Sequence, residues 1–465
     1  MATSIPFSAI LYITICAVAM TFLEWPLATK WYALLAVLFI TFFDGQPEGE
    51  ISRKFRSAFW SLPILVVTSS MSHITRIFKR KRKERQQMRI AIEAQRIFRK
   101  DKHGMDFVIL ETLKELQKRK DGNEYYVFIA PGEDWCLEES ENLHIIELRC
   151  PTYPLWEQIA LPQAVRKLKA DLLHCTSNTA PLWCPVPLVL TLHDIIYLEP
   201  RQHRSPSFYQ EMGWHYRRMV VPRILKKCKK IITVSHFECN RIREALHLPE
   251  QQITAVYNGY NKHFIPRTPH SNIIKKYIPQ EGFLFFLGNT DPKKNAARTL
   301  KAYALYLEKS AVKRPLLIAD LKEEYIDALL RQEQITEIKK QLFYPGYIDN
   351  QDLAALYNTA FTFLYPSLRE SFGIPILEAM ACGTPVITSH TSAMPEVAGE
   401  GAVLINPEQP QQIADALIKL ENDADFYQKQ VDYGLERVKL FSWRNTAEAY
   451  SKIYREIQKK QSLET

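Results

Sequence analysis

The eight cysteines of the chain, at positions 16, 136, 150, 175, 184, 228, 239 and 382, contain no CxxC pair and no spacing that would hold a metal. That lack argues against a metal module; structural thiols in a reducing compartment are the expectation. The sequence also lacks internal repeats and low-complexity domains, so neither a solenoid nor a disordered tail organises it. Composition excludes little more. With 46% hydrophobic and 24% charged residues the chain is ordinary for a globular protein, and 465 residues accommodate two or three domains. The net charge of +9 is modest, so its location matters more than its size.

Charge is absent from residues 5–23, a run of 19 that is long enough to span a bilayer. The run has no basic segment before it and no clear A-x-A site, which argues against a cleaved signal peptide. A second apolar run, 31–43, would span only if extended back through Lys30, whose ammonium would snorkel. A third, 58–71, is interrupted by Pro63. KRKRKER at 79–85 then places six positive charges in seven residues. Beside apolar segments such a cluster reads as cytoplasmic and held at anionic lipid. Nucleic-acid binding is the weaker reading, because no aromatics are interleaved. Residues 1–87 are therefore expected to be a membrane-anchoring segment, with the membrane a partner and nucleic acid not. A translation start at Met88 is the alternative.

The most structured signal is AFTFLYPSLRESFGIPILEAMACGTPVITS at 360–389. Residues 360–365 read as a buried strand, 367–373 as a polar loop with a glycine, 375–382 as a short helix with Pro at its start and Gly383 past its end, and 384–389 as the next strand. Ligands of parallel sheets sit at the carboxyl ends of strands. The amides of Ser371, Phe372 and Gly373 would face a phosphate at the helix N-terminus, and Gly373 lets the backbone come close. Glu370 and Glu378 would accept hydrogen bonds from a sugar and a ribose diol on either side. An ordinary strand–turn–helix with two solvated glutamates fits the spacing equally well.

ESFGIPILE at 370–378, followed by AMACGTPVI, resembles the E-x7-E signature of family 4 retaining glycosyltransferases. The resemblance implies the GT-B architecture: an α/β fold of two Rossmann-like domains facing a cleft, here preceded by membrane-associated helices. It implies domains at 88–265 on the acceptor side and 266–440 on the nucleotide-sugar donor side, with a carboxyl-terminal helix at 441–465 crossing back towards the first. GNTDPKKN at 288–295 is similar to the family's donor segment. Lys294 would then pair with the donor diphosphate, Gly288 and Asn289 would lie beside it, and Asn289 stands where some relatives have Arg. His193, just after the apolar run 188–192, matches a histidine that points at the donor sugar. Tyr347 lies in the segment along the nucleotide base, and Leu377 joins the nucleotide contacts. His103, Gly104 and Asp106 match the loop that faces the acceptor; a capping role for them is the alternative.

Other stretches read as structural. Ser235 is expected to cap a helix, Asn258-Gly259 to form a turn, and Asp352 to begin or cap a helix. Residues 266–280, polar with three prolines, read as the interdomain linker. The basic stretch 217–230 fits a membrane-facing surface or a solvated helix. Asp423-Ala-Asp425 follows no strand, so a metal-binding DxD is not expected there. The whole implies a metal-independent hexosyltransferase without a cofactor, its substrate a UDP- or GDP-linked mannose-like or glucose-like sugar. Its acceptor would be a cell-surface polysaccharide or lipid-linked glycan at the cytoplasmic face of the membrane. A catalytically silent subunit of a polysaccharide assembly system and a GT-B sugar-nucleotide epimerase are the alternatives.

Overall fold

Among the described residues thirteen short strands form two sheets: β1 (Arg89–Glu93), β2 (Glu124–Ile129), β3 (Leu143–Glu147), β4 (Leu172–Cys175), β5 (Leu188–Thr191), β6 (Cys228–Thr233) and β7 (Ile253–Ala255) in the order β3-β2-β1-β4-β5-β6-β7, and β8 (Leu284–Leu287), β9 (Leu316–Ala319), β10 (Leu342–Gly346), β11 (Thr362–Tyr365), β12 (Val386–Ser389) and β13 (Ala402–Ile405) in the order β10-β9-β8-β11-β12-β13. Every pairing in both is parallel. The computed structural model describes residues 87–100, 102–199, 208–268 and 271–464. The apolar runs and basic cluster between 5 and 85 lie outside these. Among the described residues no helix is long and apolar enough to cross a membrane.

Parallel strands need crossovers that cover both sheet faces, so the strands read as continuous apolar runs. Leu172–Cys175 (β4), Leu188–Thr191 (β5), Leu316–Ala319 (β9) and Thr362–Tyr365 (β11) are buried at every position. In the first sheet the strand order reverses between Arg89–Glu93 (β1) and β4. In the second it reverses between Leu284–Leu287 (β8) and β11. A crevice opens at such a switch point, outside the carboxyl ends of the strands. The loops after β8 and β11 are therefore spatial neighbours although about 80 residues separate them in sequence.

The carboxyl-terminal helix Trp443–Glu464 returns to the first sheet. Ala447, Tyr450, Ile453, Tyr454 and Ile457 recur at helical spacing and join the same core as Ile90, Leu113, Val127 and Leu172. The Tyr454 hydroxyl lies 2.7 Å from His174 Nδ1 in β4, and the other ring nitrogen lies 2.8 Å from Thr191 Oγ1 in β5. Burial holds His174 neutral, its pKa pushed down to about 3. Residues 88–465 thus form one compact unit.

The structure corrects three expectations. The stretch 266–280 is no free linker: it carries the helical turn Ser271–Lys275, and Ile274, Tyr277 and Ile278 are buried in the core of the second sheet. Gly259 is needed for close approach rather than for a turn, because a Cβ there would lie 2.2 Å from the backbone nitrogen of Trp443. Asp349, not Asp352, is the N-cap of the helix Asn350–Thr359; Asp352 instead accepts a 2.6 Å bond from the Tyr277 hydroxyl. In the basic stretch, Val220, Val221, Ile224 and Leu225 are buried while Arg223, Lys226 and Lys227 are exposed, a basic face that fits either expectation for it.

Candidate active site

After β8 the chain turns sharply at Gly288, where a Cβ would meet Leu321 at 2.9 Å. Asn289 Oδ1 accepts from the Asp291 amide, and Asp291 caps the turn Pro292–Lys294 by accepting from the Lys293 amide. Asn289 is thus a loop-forming residue and brings no charge. Asn295, left-handed at φ 63° and buried, donates to the carbonyls of Pro366 and Pro407 at 3.0 and 2.7 Å. Its amide fastens this loop to the ones after β11 and Ala402–Ile405 (β13). The Leu368 amide donates to the Lys293 carbonyl at 2.7 Å.

These fastenings aim Lys294 across the switch point. Its ammonium donates to Glu370 Oε1 at 2.7 Å and to the Tyr365 hydroxyl at 3.0 Å, and lies 4.7 Å from the centre of the Tyr365 ring. Burial, and then the Glu370 charge, push the Tyr365 phenol well above its ordinary range, so it stays protonated. Asp320 joins the same space from the end of β9 at φ 62°; burial raises its pKa while Lys294 pulls it down.

The loop that carries Glu370 is held from below. Ser392 Oγ accepts from the Glu370 amide at 3.1 Å and donates to its carbonyl at 2.5 Å. Gly373, at φ 103°, is the N-cap of the helix Ile374–Ala381, so the helix begins one residue before the expected Pro375. The Ser371 carbonyl accepts from Ser235 Oγ, which also caps the helix His236–Leu246 by accepting from the Glu238 amide. Phe372 is buried against the rings of Tyr257 and Phe441. Leu377, expected among the nucleotide contacts, is fully enclosed in the core, so its side chain offers packing and no ligand surface. Glu378 differs: its carboxylate takes no hydrogen bond from any described residue, and burial pushes its pKa up to about 7. Tyr347 follows Gly346, which has φ 81°, and is 72% exposed.

In the first domain His193 lies two residues past the end of β5 and is buried. Its amide donates to Asn178 Oδ1 at 2.6 Å and its Nε2 lies 3.0 Å from the Thr176 carbonyl. A carbonyl only accepts, so Nε2 carries the proton and Nδ1 the lone pair. Burial depresses the pKa, which keeps the ring neutral. His103 and Gly104 are exposed at the start of the helix Gly104–Gln117. Asp106 is a correction to the acceptor trio. It is buried, accepts from the His103 amide at 2.7 Å and pairs with Arg99, so it caps the helix and neutralises a guanidinium.

Two family profiles match the two halves in turn: "Glycosyltransferase Family 4" over residues 103–264 and "Glycosyl transferases group 1" over 271–437. The O-antigen chain mannosyltransferase B of Escherichia coli is 31% identical over 262 residues, 55% of this chain and 67% of that relative. The chain belongs to the family 4, group 1 glycosyltransferases. The serotype-specific mannosyltransferase WbdA of Escherichia coli is 28% identical over 57% of this chain, but the glycosyltransferase described here spans only 32% of it. Anabaena HepE, crystallised with UDP and glucose, matches 79% of this chain and 99% of its own with a TM-score of 0.59 at 16% identity, which fixes the fold as GT-B.

Tyr365, Asn295, Asp320 and Ser392 escaped the reading of this glycosyltransferase's sequence. A hydroxyl at the last position of an apolar strand was the available signal for Tyr365. Asp423 of the DxD triplet accepts from the Phe426 amide at 2.9 Å and caps the helix Ala424–Val438.

Proposed function

We propose that this glycosyltransferase moves a mannose-like or glucose-like hexose from a UDP- or GDP-linked donor to a growing polysaccharide or lipid-linked glycan, with retention and without a metal. The meeting of Lys294 and Glu370 at 2.7 Å, on loops from the two sides of the switch point, carries the reading. The mannosyltransferase name of the Escherichia coli relative favours the mannose-like sugar.

In this reading a diphosphate takes over the Lys294 ammonium, which frees Glu370 to hold the sugar hydroxyls. The helix Ile374–Ala381 adds its N-terminal dipole to the phosphates. A ribose diol supplies Glu378 with the donors it lacks. As the bond from C1 to the phosphate oxygen breaks, Lys294 neutralises the charge that develops on the leaving group. The acceptor oxygen bonds to C1 on the same face, and its proton passes to a diphosphate oxygen. The neutral His193 faces the sugar with the Nδ1 lone pair.

The charge-free run 5–23 and the cluster 79–85 support an anchor that keeps the enzyme at the cytoplasmic face of the membrane, where nucleotide sugars are made. The test is a panel of UDP- and GDP-linked hexoses offered to the full chain with and without EDTA, with product anomers read by NMR. Transfer with retention in EDTA is expected. Inversion, or activity abolished by EDTA and restored by a divalent ion, would refute the mechanism. The full chain should resist release from membranes by salt, and a chain starting at Met88 should not.

A further inference from the structure

We infer that Arg369 is a positioning residue: it ties the loop carrying Glu370 to the first domain, so that each half of the cleft sets the other's geometry. The inference rests on the proposed role of Glu370 at the donor sugar. Arg369 immediately precedes Glu370. Its Nη1 pairs with Glu199 Oε2 at 2.6 Å, and its Nη2 stands 3.7 Å from Glu238 Oε1. Both partners belong to the first domain. Glu199 ends the turn Ile196–Leu198 that follows His193, and Glu238 lies in the first turn of the helix His236–Leu246. Arg241, on that helix, pairs with Glu199 and reaches Glu238 Oε2 at 3.4 Å. Two carboxylates of the first domain are therefore shared between one guanidinium of their own and one from the second domain.

Ser371, on the other side of Glu370, is tied to the same helix start through Ser235 Oγ at 2.8 Å. Glu396 adds a third tie, its carboxylate accepting from the His236 and Phe237 amides at 2.6 and 2.8 Å. The first domain thus holds the residues flanking Glu370, while Ser392 of the second holds Glu370's own backbone. An exposed ion pair would contribute little. Here Glu238 is fully enclosed, and removing a partner from a buried pair leaves a charge uncompensated.

One contact is unfinished. Arg369 Nη2, Arg369 Nε and Glu238 Oε1 are buried without a hydrogen-bond partner. A shift of somewhat under an ångström would turn the 3.7 Å approach into a second charged hydrogen bond, so that the guanidinium bridges Glu199 and Glu238. The loop can therefore tighten on the first domain when a donor fills the cleft, and Glu199 carries that tightening directly to the segment after His193.

The experiment compares Arg369→Gln, Arg369→Lys and Glu199→Gln in the full chain. Three readouts are taken: kcat at saturating donor, calorimetric Kd for UDP and GDP, and amide hydrogen exchange of 366–373 with and without nucleotide. Arg369→Gln should lower kcat roughly 10- to 100-fold, leave the nucleoside diphosphate Kd within about 3-fold, and abolish the nucleotide-induced slowing of exchange. Arg369→Lys should restore part of the rate, and Glu199→Gln should lower kcat in the same direction as Arg369→Gln. Full turnover in Arg369→Gln, or unaltered exchange in 366–373, would overturn the inference. So would parallel loss of turnover and nucleotide binding, which means a collapsed site. If the parent chain transfers no sugar yet shows exchange slowing that depends on Arg369, the coupling stands and the transferase reading falls.

Discussion

Glu370 and Glu378 are eight residues apart and electrostatically opposite. Glu370 is paired with Lys294 at 2.7 Å, whereas Glu378 is half-buried with no partner among the described residues. Replacing Glu370 by Gln should leave the fold intact and lower transfer by about 2–4 kcal/mol at the transition state, or roughly 30- to 1000-fold, read as kcat with the purified variant. Glu378→Gln should act on binding instead. Loss of one charged hydrogen bond is worth about 1.5–3 kcal/mol, or roughly 10- to 150-fold in the Kd for the nucleoside diphosphate by calorimetry. The same substitution should stabilise the empty enzyme at alkaline pH. Burial raises the folded pKa from 4.5 to about 7, so between those values the folded chain holds a proton that the unfolded chain has lost. Stability contributed by Glu378 is then present at low pH and lost as pH rises through about 7. Melting curves of Glu378→Gln and the parent should coincide near pH 5 and separate in favour of the variant near pH 8. Coincidence at both would mean that Glu378 is fully solvated.

Strands and loops differ in how much of them the sequence shows. β8 and β11 were legible because apolar runs end at Gly288 and Pro366, and the loops beyond them carry their own Pro and Gly marks. β7 and β13 were not: Ile253–Ala255 and Ala402–Ile405 are partly exposed edge strands. The stretch 266–280 misled because its prolines and lysines outnumber the few apolar residues that reach the core. Asp106, Asp352 and Gly259 were assigned from their neighbours in sequence, whereas Arg99, Tyr277 and Trp443 decide their roles. Arg369 and Glu199 lie 170 residues apart, and no local pattern encodes that pairing. Two substitutions test single elements. Gly259→Ala should cost about 1–3 kcal/mol in urea unfolding, since the added methyl must displace the backbone of Trp443. Asp423→Ala should remove a helix cap worth about 1 kcal/mol and leave turnover unchanged, whereas a dependence of turnover on Asp423 would revive the metal reading.

Across the whole molecule the two domains meet on an acid that titrates near neutrality. Glu238 faces Arg369, Arg241, Glu199 and Asp194; burial raises its pKa to about 7, and the Arg369 charge pulls against that rise. An engaged Arg369 favours the ionised form, so engagement releases a proton and weakens as pH falls below about 7. The kcat of the parent should therefore decline on the acid side of neutrality, and Glu238→Gln should flatten that limb; an unchanged limb would assign it to another group. The helix Trp443–Glu464 has a consequence for how the chain is made. Tyr450, Ile453, Tyr454 and Ile457 complete the core of the sheet that begins at Arg89, so the first domain to leave the ribosome is the last to be finished. Until synthesis nears its end, Ile90, Leu113 and Leu172 lack part of their cover. A message truncated before codon 443 should yield a nascent chain that chaperones retain, even with both sheets fully translated.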